Sequence, residues 1–84
     1  MKKIVLVDDH VLLRNGLSVI IGGFDDFTIL FEANHGQHFI EQLDPENLPD
    51  IVLLDVTMPV MNGFETAEWI FTHHPLVNQS VAIS

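Results

Sequence analysis

The chain has 84 residues, 48% of them hydrophobic, and its 3 Lys+Arg against 12 Asp+Glu give a net charge of −9. This length allows one small domain, and the apolar fraction excludes a disordered segment. The negative charge argues against direct nucleic-acid binding, which depends on cations facing phosphates, and the lack of cysteine excludes disulfide bonds.

The first residues carry no pattern of an export or membrane segment. Lys2 and Lys3 precede four apolar residues, but Asp8 and Asp9 end this run too early for a signal peptide. No apolar run approaches the roughly 20 residues of a membrane span. We therefore expect a soluble, cytoplasmic protein that does not contact a membrane.

Strands and helices alternate in the predicted secondary structure. Continuous apolar runs predict buried strands, and apolar residues spaced three and four apart predict helices whose apolar positions lie in the core. Asp9 or His10 is placed to cap the first helix, and Gly22-Gly23 ends it. In chain order the apolar positions are residues 4–7 (strand), Leu13, Leu17, Ile20, Ile21 and Phe24 (helix), 27–31 (edge strand), Phe39, Ile40 and Leu43 (helix), 51–54 (strand), Phe64, Ala67, Ile70 and Phe71 (helix), and 81–83 (strand).

This order predicts one open α/β domain. Strands that are joined by crossover helices pair in parallel, with right-handed connections. A doubly wound sheet needs helices on both faces, and no helix follows the fourth predicted strand. We therefore expect residues 1–84 to form an incomplete domain.

Three carboxylates are predicted to lie at one edge of this sheet. Asp8 and Asp9 follow the first strand and Asp55 follows the third, and ligand sites of open α/β sheets lie at the carboxyl ends of strands. If those strands are neighbours, the carboxylates converge and repel one another unless a cation intervenes. Mg²⁺ suits such a site because it prefers oxygen ligands, and an aspartate beside it can accept a phosphoryl group. For Asp9 taken alone, helix capping is the simpler interpretation.

Three segments at the ends of predicted strands form recognisable motifs. They are residues 7–10 with the sequence Val-Asp-Asp-His, residues 55–63 with the pattern Asp-x-x-Met-Pro-x-x-x-Gly, and residues 82–84 with the sequence Ala-Ile-Ser. These segments resemble motifs of the bacterial response-regulator receiver domain. The resemblance runs over the whole chain, and each motif falls at the end of a predicted strand. It implies a flavodoxin-like fold with strand order 2-1-3-4, truncated before the fifth strand and lacking the C-terminal third of the domain.

The resemblance also implies a role for five residues. Asp55 matches the phosphoacceptor, Asp9 matches the direct Mg²⁺ ligand, and Asp8 matches the carboxylate that acts on the metal through water. Thr57 would give its backbone carbonyl to the metal. Ser84 would be the switch hydroxyl that follows the phosphoryl group.

A phosphorylation switch rather than an enzyme is the function that this resemblance implies. A sensor histidine kinase would be the phosphoryl donor, and transcription the output. Asp8-Asp9-His10 is similar to the LuxR/NarL-like subfamily, whose helix-turn-helix output domain, absent from this sequence, would contact DNA. The family's lysine after the fifth strand is absent too. The uncovered sheet edge predicts self-association, as a dimer or by strand exchange.

Two other functions stay open. A module of the same fold that binds partners without phosphorylation would need no metal. A phosphatase of the haloacid-dehalogenase type also uses a strand-end Asp and Mg²⁺, and residues 55–57 resemble its nucleophile motif. In that family the second acidic pair follows the nucleophile, whereas Asp8 and Asp9 precede Asp55.

The five histidines carry no predicted metal site. His73 and His74 are adjacent on a helix and point in different directions, so we expect them to bind the last carbonyls of that helix. His10, His35 and His38 have no partners at ligand spacing.

Overall fold

A computed structural model of the chain describes residues 1–55 and 61–74 and the backbone of residues 81–83. Strands and helices alternate through these residues. In chain order they are β1 (Lys2–Val7), α1 (Val11–Gly22), β2 (Phe27–Ala33), α2 (Gly36–Gln42), β3 (Ile51–Leu54), α3 (Gly63–His73) and β4 (Val81–Ile83). The predicted parallel α/β class is confirmed.

The strands form one parallel sheet in the order β2-β1-β3-β4. The last residue of β1, Val7, pairs with Ala33 of β2 and with Leu54 of β3. Three strands therefore end at the same level. Residues that follow β1 and β3 emerge side by side at this edge of the sheet.

The main core cluster lies on the face of the sheet that α2 and α3 cover. Val5 and Val7 of β1 pack there with the fully buried Phe39 of α2 and Ile70 of α3. Because side chains alternate along a strand, Ile4 and Leu6 of β1 point to the opposite face, where α1 lies. Burial on both faces explains why residues 4–7 of β1 are continuously apolar.

The start of α3 is fixed by reciprocal hydrogen bonds and by contact with α2. The Asn62 side chain accepts from the Glu65 backbone N–H at 2.9 Å, and the Glu65 carboxylate accepts from the Asn62 N–H at 3.1 Å, which is a capping box. The Gly36 N–H donates to the Met61 carbonyl at 3.3 Å. These bonds tie the N-termini of α2 and α3 together.

Several predicted core positions are wrong. Leu13, Ile20 and Phe24 are 56–62% exposed, and Phe64 and Phe71 are each 63% exposed. The apolar stripe of each helix is wider than its contact with the sheet, so only the strip that faces the strands is covered. On α1, that strip includes the half-buried Leu17 and Ile21.

The predicted N-cap position of α1 is confirmed at one of its two candidates, but a side-chain capping bond is not found in the described part of the chain. His10 is the N-cap residue by backbone geometry, but its side chain makes no capping hydrogen bond within the described residues. Its ring points instead toward the carboxylates described below. Asp8 takes part in the local turn, because its carboxylate accepts from the His10 backbone N–H at 2.8 Å.

Two further points concern membrane-spanning helices and two of the predicted site residues. Among the described residues, no helix is both long and apolar enough to cross a membrane. The predicted metal ligand Thr57 and the predicted switch hydroxyl of Ser84 lie outside the described residues.

Candidate functional site

Backbone hydrogen bonds carry the sheet register one residue beyond the strands and place the acidic residues. The Asp8 N–H donates to the Ala33 carbonyl at 3.0 Å, and the Asp55 N–H donates to the Val7 carbonyl at 3.0 Å. Asp8 and Asp55 are therefore held at neighbouring strand ends by bonds that do not involve their side chains.

The three predicted carboxylates come together. Asp8, Asp9, Asp55 and also His10 each offer one ligand atom, and these atoms all lie within 4.8 Å of one another. The Asp8 and Asp55 side chains are each 14% exposed and that of Asp9 is 34% exposed. The cluster is partly shielded from water, which strengthens the repulsion among its carboxylates and the attraction for a cation.

His10 is a member of this cluster that sequence reasoning missed. Its Nδ1 lies 3.0 Å from an Asp8 oxygen, 3.3 Å from an Asp9 oxygen and 3.5 Å from an Asp55 oxygen. The turn closed by the Asp8 carboxylate folds the backbone so that the ring points back over the strand ends. The signal in the sequence was the run Asp8-Asp9-His10 directly after a buried strand.

The neighbours of His10 favour its protonated form. The pKa of His10 is raised from 6.5, first by the hydrogen bond with Asp8 and then by the charges of Asp9 and Asp8. Burial opposes these effects and lowers the pKa by less, and the charge of Asp55 makes the smallest contribution. Because the folded-state pKa is raised, this group stabilises the fold fully below the ordinary pKa of 6.5. That contribution is lost as the pH rises through the raised value.

We expect an NMR titration without divalent cations to give a His10 pKa above 6.5. In an Asp8→Ala variant the pKa should fall, because the largest cause of the shift is removed. Asp25→Ala, a change of the same charge at an exposed position, is the control and should leave the His10 pKa where it was. Equal His10 pKa values in the wild type and in Asp8→Ala would contradict this assignment.

Arg14 is a second residue that sequence reasoning missed, and it braces the site from α1. Its Nε donates to the Glu32 carboxylate at 3.0 Å, and its Nη1 lies 2.7 Å from the Asp8 carbonyl. The same Nη1 reaches the Ala33 carbonyl at 3.2 Å and the Asn34 side chain at 2.7 Å. One guanidinium thus joins the end of β2 and the residues that follow β1 and β2, and the Arg14 side chain is only 12% exposed.

The remaining histidines lie away from the cluster. The His73 Nδ1 is 2.9 Å from the Trp69 carbonyl in the last turn of α3, which confirms the predicted contact with a terminal carbonyl. The His73 ring also stacks on Trp69, with the ring centroids 4.3 Å apart. His35 caps α2 by accepting from the His38 N–H at 3.1 Å.

The protein-family model described as "Response regulator receiver domain" matches residues 4–83 of the chain. The chain belongs to this family. The receiver domain is 40% identical over 74 residues to the transcriptional regulatory protein YdfI of Bacillus subtilis, covering 88% of the chain and 34% of that protein. It is 43% identical over 65 residues to the nitrate/nitrite response regulator NarL of Escherichia coli K12, covering 77% of the chain and 30% of that protein.

The similar proteins are not all transcriptional regulators by name. A crystal structure of a LuxR-family two-component response regulator from Aurantimonas sp. superimposes with a TM-score of 0.85 and 29% identity, over 99% of this chain and 57% of that one. A protein-glutamate methylesterase/protein-glutamine glutaminase of Geobacillus kaustophilus is 35% identical, over 88% of the chain and 21% of that protein. The receiver domain spans about a third of the length of the YdfI and NarL proteins.

Proposed function

We propose that this receiver domain is a phosphoacceptor switch, in which Asp55 takes a phosphoryl group from a histidine kinase and Mg²⁺ is the cofactor. The observation that carries the proposal is the convergence of carboxylate oxygens from two strand ends, with all ligand atoms within 4.8 Å of one another. Such a cluster is costly by itself, because carboxylates this close repel one another. A divalent cation would offset that cost.

The donor set fits Mg²⁺. The three carboxylates of the cluster offer the hard oxygen atoms that this ion prefers, and their partial exposure leaves room for the water ligands that it retains. Asp8, Asp9 and Asp55 would hold it, together with the backbone carbonyl of Thr57. When bound, the ion neutralises negative charge on the phosphoryl group and on the carboxylates.

Asp55 is suited to be the acceptor. Its backbone N–H is anchored on β1 and its side chain is 14% exposed, so Asp55 is held at the strand ends with its carboxylate partly accessible. A carboxylate oxygen of Asp55 forms a bond to phosphorus while the bond from phosphorus to the donor nitrogen of the kinase histidine breaks. The released imidazole takes a proton, and Asp55 carries an acyl phosphate. The Ser84 hydroxyl would then follow the phosphoryl group.

The output of the switch belongs to the proposal as well. Similarity to YdfI and NarL, which are transcriptional or response regulators by name, supports regulation of transcription through a further domain that contacts DNA. The relationship to a methylesterase keeps an enzymatic output domain as the alternative. The receiver domain itself would be a switch and not an enzyme, acting in the cytoplasm, where kinases find ATP.

We also propose that the chain self-associates, and the exposed surface of α1 supports this. Leu12 is 88% exposed and Val19 is 77% exposed on the side of α1 away from the sheet, beside the exposed Leu13 and Ile20. An apolar surface of this kind is typical of protein contacts. A single monomeric species in sedimentation velocity at high protein concentration would refute self-association.

Intact-mass measurement with a small phosphodonor tests the acceptor. We expect one phosphoryl group per chain in the presence of Mg²⁺, none after chelation, and none in an Asp55→Asn variant. Asp25→Asn is the matched control, since Asp25 is exposed and follows α1 on the loop before β2. It should be modified like the wild type.

Three outcomes would count against the proposal. Modification that persists in Asp55→Asn would place the acceptor elsewhere. Failure of every form to react would favour the interaction module. Release of many phosphates per chain, rather than one lasting modification, would favour the phosphatase.

A further inference from the structure

The His10 ring occupies the region on which the three carboxylates converge. Its Nδ1 lies 3.0, 3.3 and 3.5 Å from oxygens of Asp8, Asp9 and Asp55, so one nitrogen contacts all three acidic side chains at once. The contact with Asp8 is a hydrogen bond, and the contacts with Asp9 and Asp55 are within ion-pair distance. The ring therefore takes the position of a cation with respect to these oxygens.

A metal ion and the ring cannot both fill this position. Mg²⁺ binds its oxygen ligands at about 2.0–2.1 Å and requires near-octahedral geometry with several waters. An ion that is bound by these carboxylates needs the space and the oxygen lone pairs that the Nδ1 group uses. Mg²⁺ also prefers oxygen to nitrogen, so the imidazole is a poor ligand for it.

The ring is able to leave. The His10 side chain is 64% exposed, and its backbone lies at the start of α1, outside the sheet. Rotation about the side-chain bonds would carry the ring into solvent without disturbing the core. The ring then has two positions, and Mg²⁺ binds only to molecules in which the ring is in solvent. The apparent affinity for Mg²⁺ falls as the fraction of molecules with the ring among the carboxylates rises.

We propose that His10 is a built-in competitor of the divalent cation, whose imidazole must swing out of the three-carboxylate cluster before Mg²⁺ binds. This inference rests on the proposed function, because it concerns the same metal site. It adds a control on how much Mg²⁺ the switch requires. A chain without this ring would load the metal at a lower concentration.

The test is the Mg²⁺ dissociation constant of the 84-residue chain by isothermal titration calorimetry, at one pH and ionic strength. We expect His10→Ala to tighten binding by about three- to tenfold. The substitution removes no helix cap, because the His10 side chain makes no capping bond to α1 among the described residues. His73→Ala, an exposed histidine at the far end of α3, is the control and should bind Mg²⁺ as the wild type does.

A second readout follows the ring itself. The imidazole signal of His10 is assigned by comparing NMR spectra, because it is present in the wild type and missing in His10→Ala. We expect that signal to shift as Mg²⁺ is added, with the same midpoint as the calorimetric titration. The signal of His73 should stay in place.

The outcomes separate this inference from the proposed function. Tighter binding in His10→Ala, together with the ring shift, supports competition. Unchanged affinity, or weaker binding in His10→Ala as expected of a metal ligand, would overturn it while leaving the metal site intact. Asp9→Asn should weaken Mg²⁺ binding whether or not His10 competes with the ion. If neither the wild type nor His10→Ala binds Mg²⁺, the proposed metal site and the proposed competition are both refuted.

Discussion

Replacing Gly36 with alanine is expected to lower the free energy of unfolding by about 2–3 kcal/mol, because the new methyl group has no space. Gly36 is buried at the start of α2, where the helix packs against α3. A Cβ at this position would clash with the Thr66 hydroxyl and would lie 2.9 Å from the Met61 side chain.

The Thr66 side chain cannot move away cheaply. Thr66 is fully buried, and its hydroxyl donates to the Asn62 carbonyl at 2.8 Å. Moving it would leave a buried polar group without its partner, and shifting the helices apart would weaken the bond from the Gly36 N–H to Met61. Either relaxation costs stability.

Urea unfolding measures the effect, with Gly16→Ala as the matched control. Gly16 lies inside α1, and a Cβ there meets no atom within 4 Å. Because alanine is the better helix former, Gly16→Ala should raise the free energy of unfolding by about 0.5–1 kcal/mol. The two alanine substitutions are thus expected to shift the urea midpoint in opposite directions at similar slopes. A Gly36→Ala midpoint at or above that of the wild type would show that the helices can separate without cost.

Replacing Arg14 with alanine is expected to lower the free energy of unfolding by about 2–3 kcal/mol and to weaken Mg²⁺ binding. The guanidinium has four hydrogen-bond acceptors, and the side chain is 12% exposed. Its removal leaves the partly buried Glu32 carboxylate without this partner. It also frees the backbone at Asp8, whose carbonyl Arg14 binds at 2.7 Å.

Charge alone does not account for this expected loss, and two variants test that. Lys2→Ala removes the same charge from an exposed residue at the start of β1, and it should change stability by less than about 0.5 kcal/mol. Arg14→Lys keeps the charge but loses the planar guanidinium that reaches several acceptors. Its free energy of unfolding should therefore lie between those of Arg14→Ala and Lys2→Ala. Equal stabilities of Arg14→Ala and Lys2→Ala would mean that the bracing bonds contribute nothing.

Sequence reasoning and structure disagree most where helices meet solvent. Leu13, Ile20 and Phe71 were predicted to be core because they follow helical spacing, yet each is more than half exposed. Spacing fixes which side of a helix is apolar but not how much of that side a neighbour covers. The continuous apolar runs were better guides, because strands that are covered on both faces need apolar residues throughout. All of residues 4–7 are buried, and β3 has Val52 and Leu54 buried with Ile51 and Leu53 half-buried.

The sequence by itself determined the alternation of strands and helices, the parallel class and the placement of Asp8, Asp9 and Asp55 at strand ends. These follow from local periodicity and from the rule that crossover connections bring the carboxyl ends of parallel strands to one edge. Neither argument needs a long-range contact.

Only the tertiary structure decided which side chains complete the site. The pairing of Val7 with both Ala33 and Leu54 makes Asp8 and Asp55 neighbours, and Arg14 reaches Glu32 across 18 positions of the sequence. The His10 ring lies against the carboxylates because the turn closed by the Asp8 carboxylate directs the side chain back toward the strand ends. Contacts of this kind have no sequence period, since they depend on how separate elements pack. Packing also leaves no space for a Cβ at Gly36, whereas a Cβ at Gly16 has space.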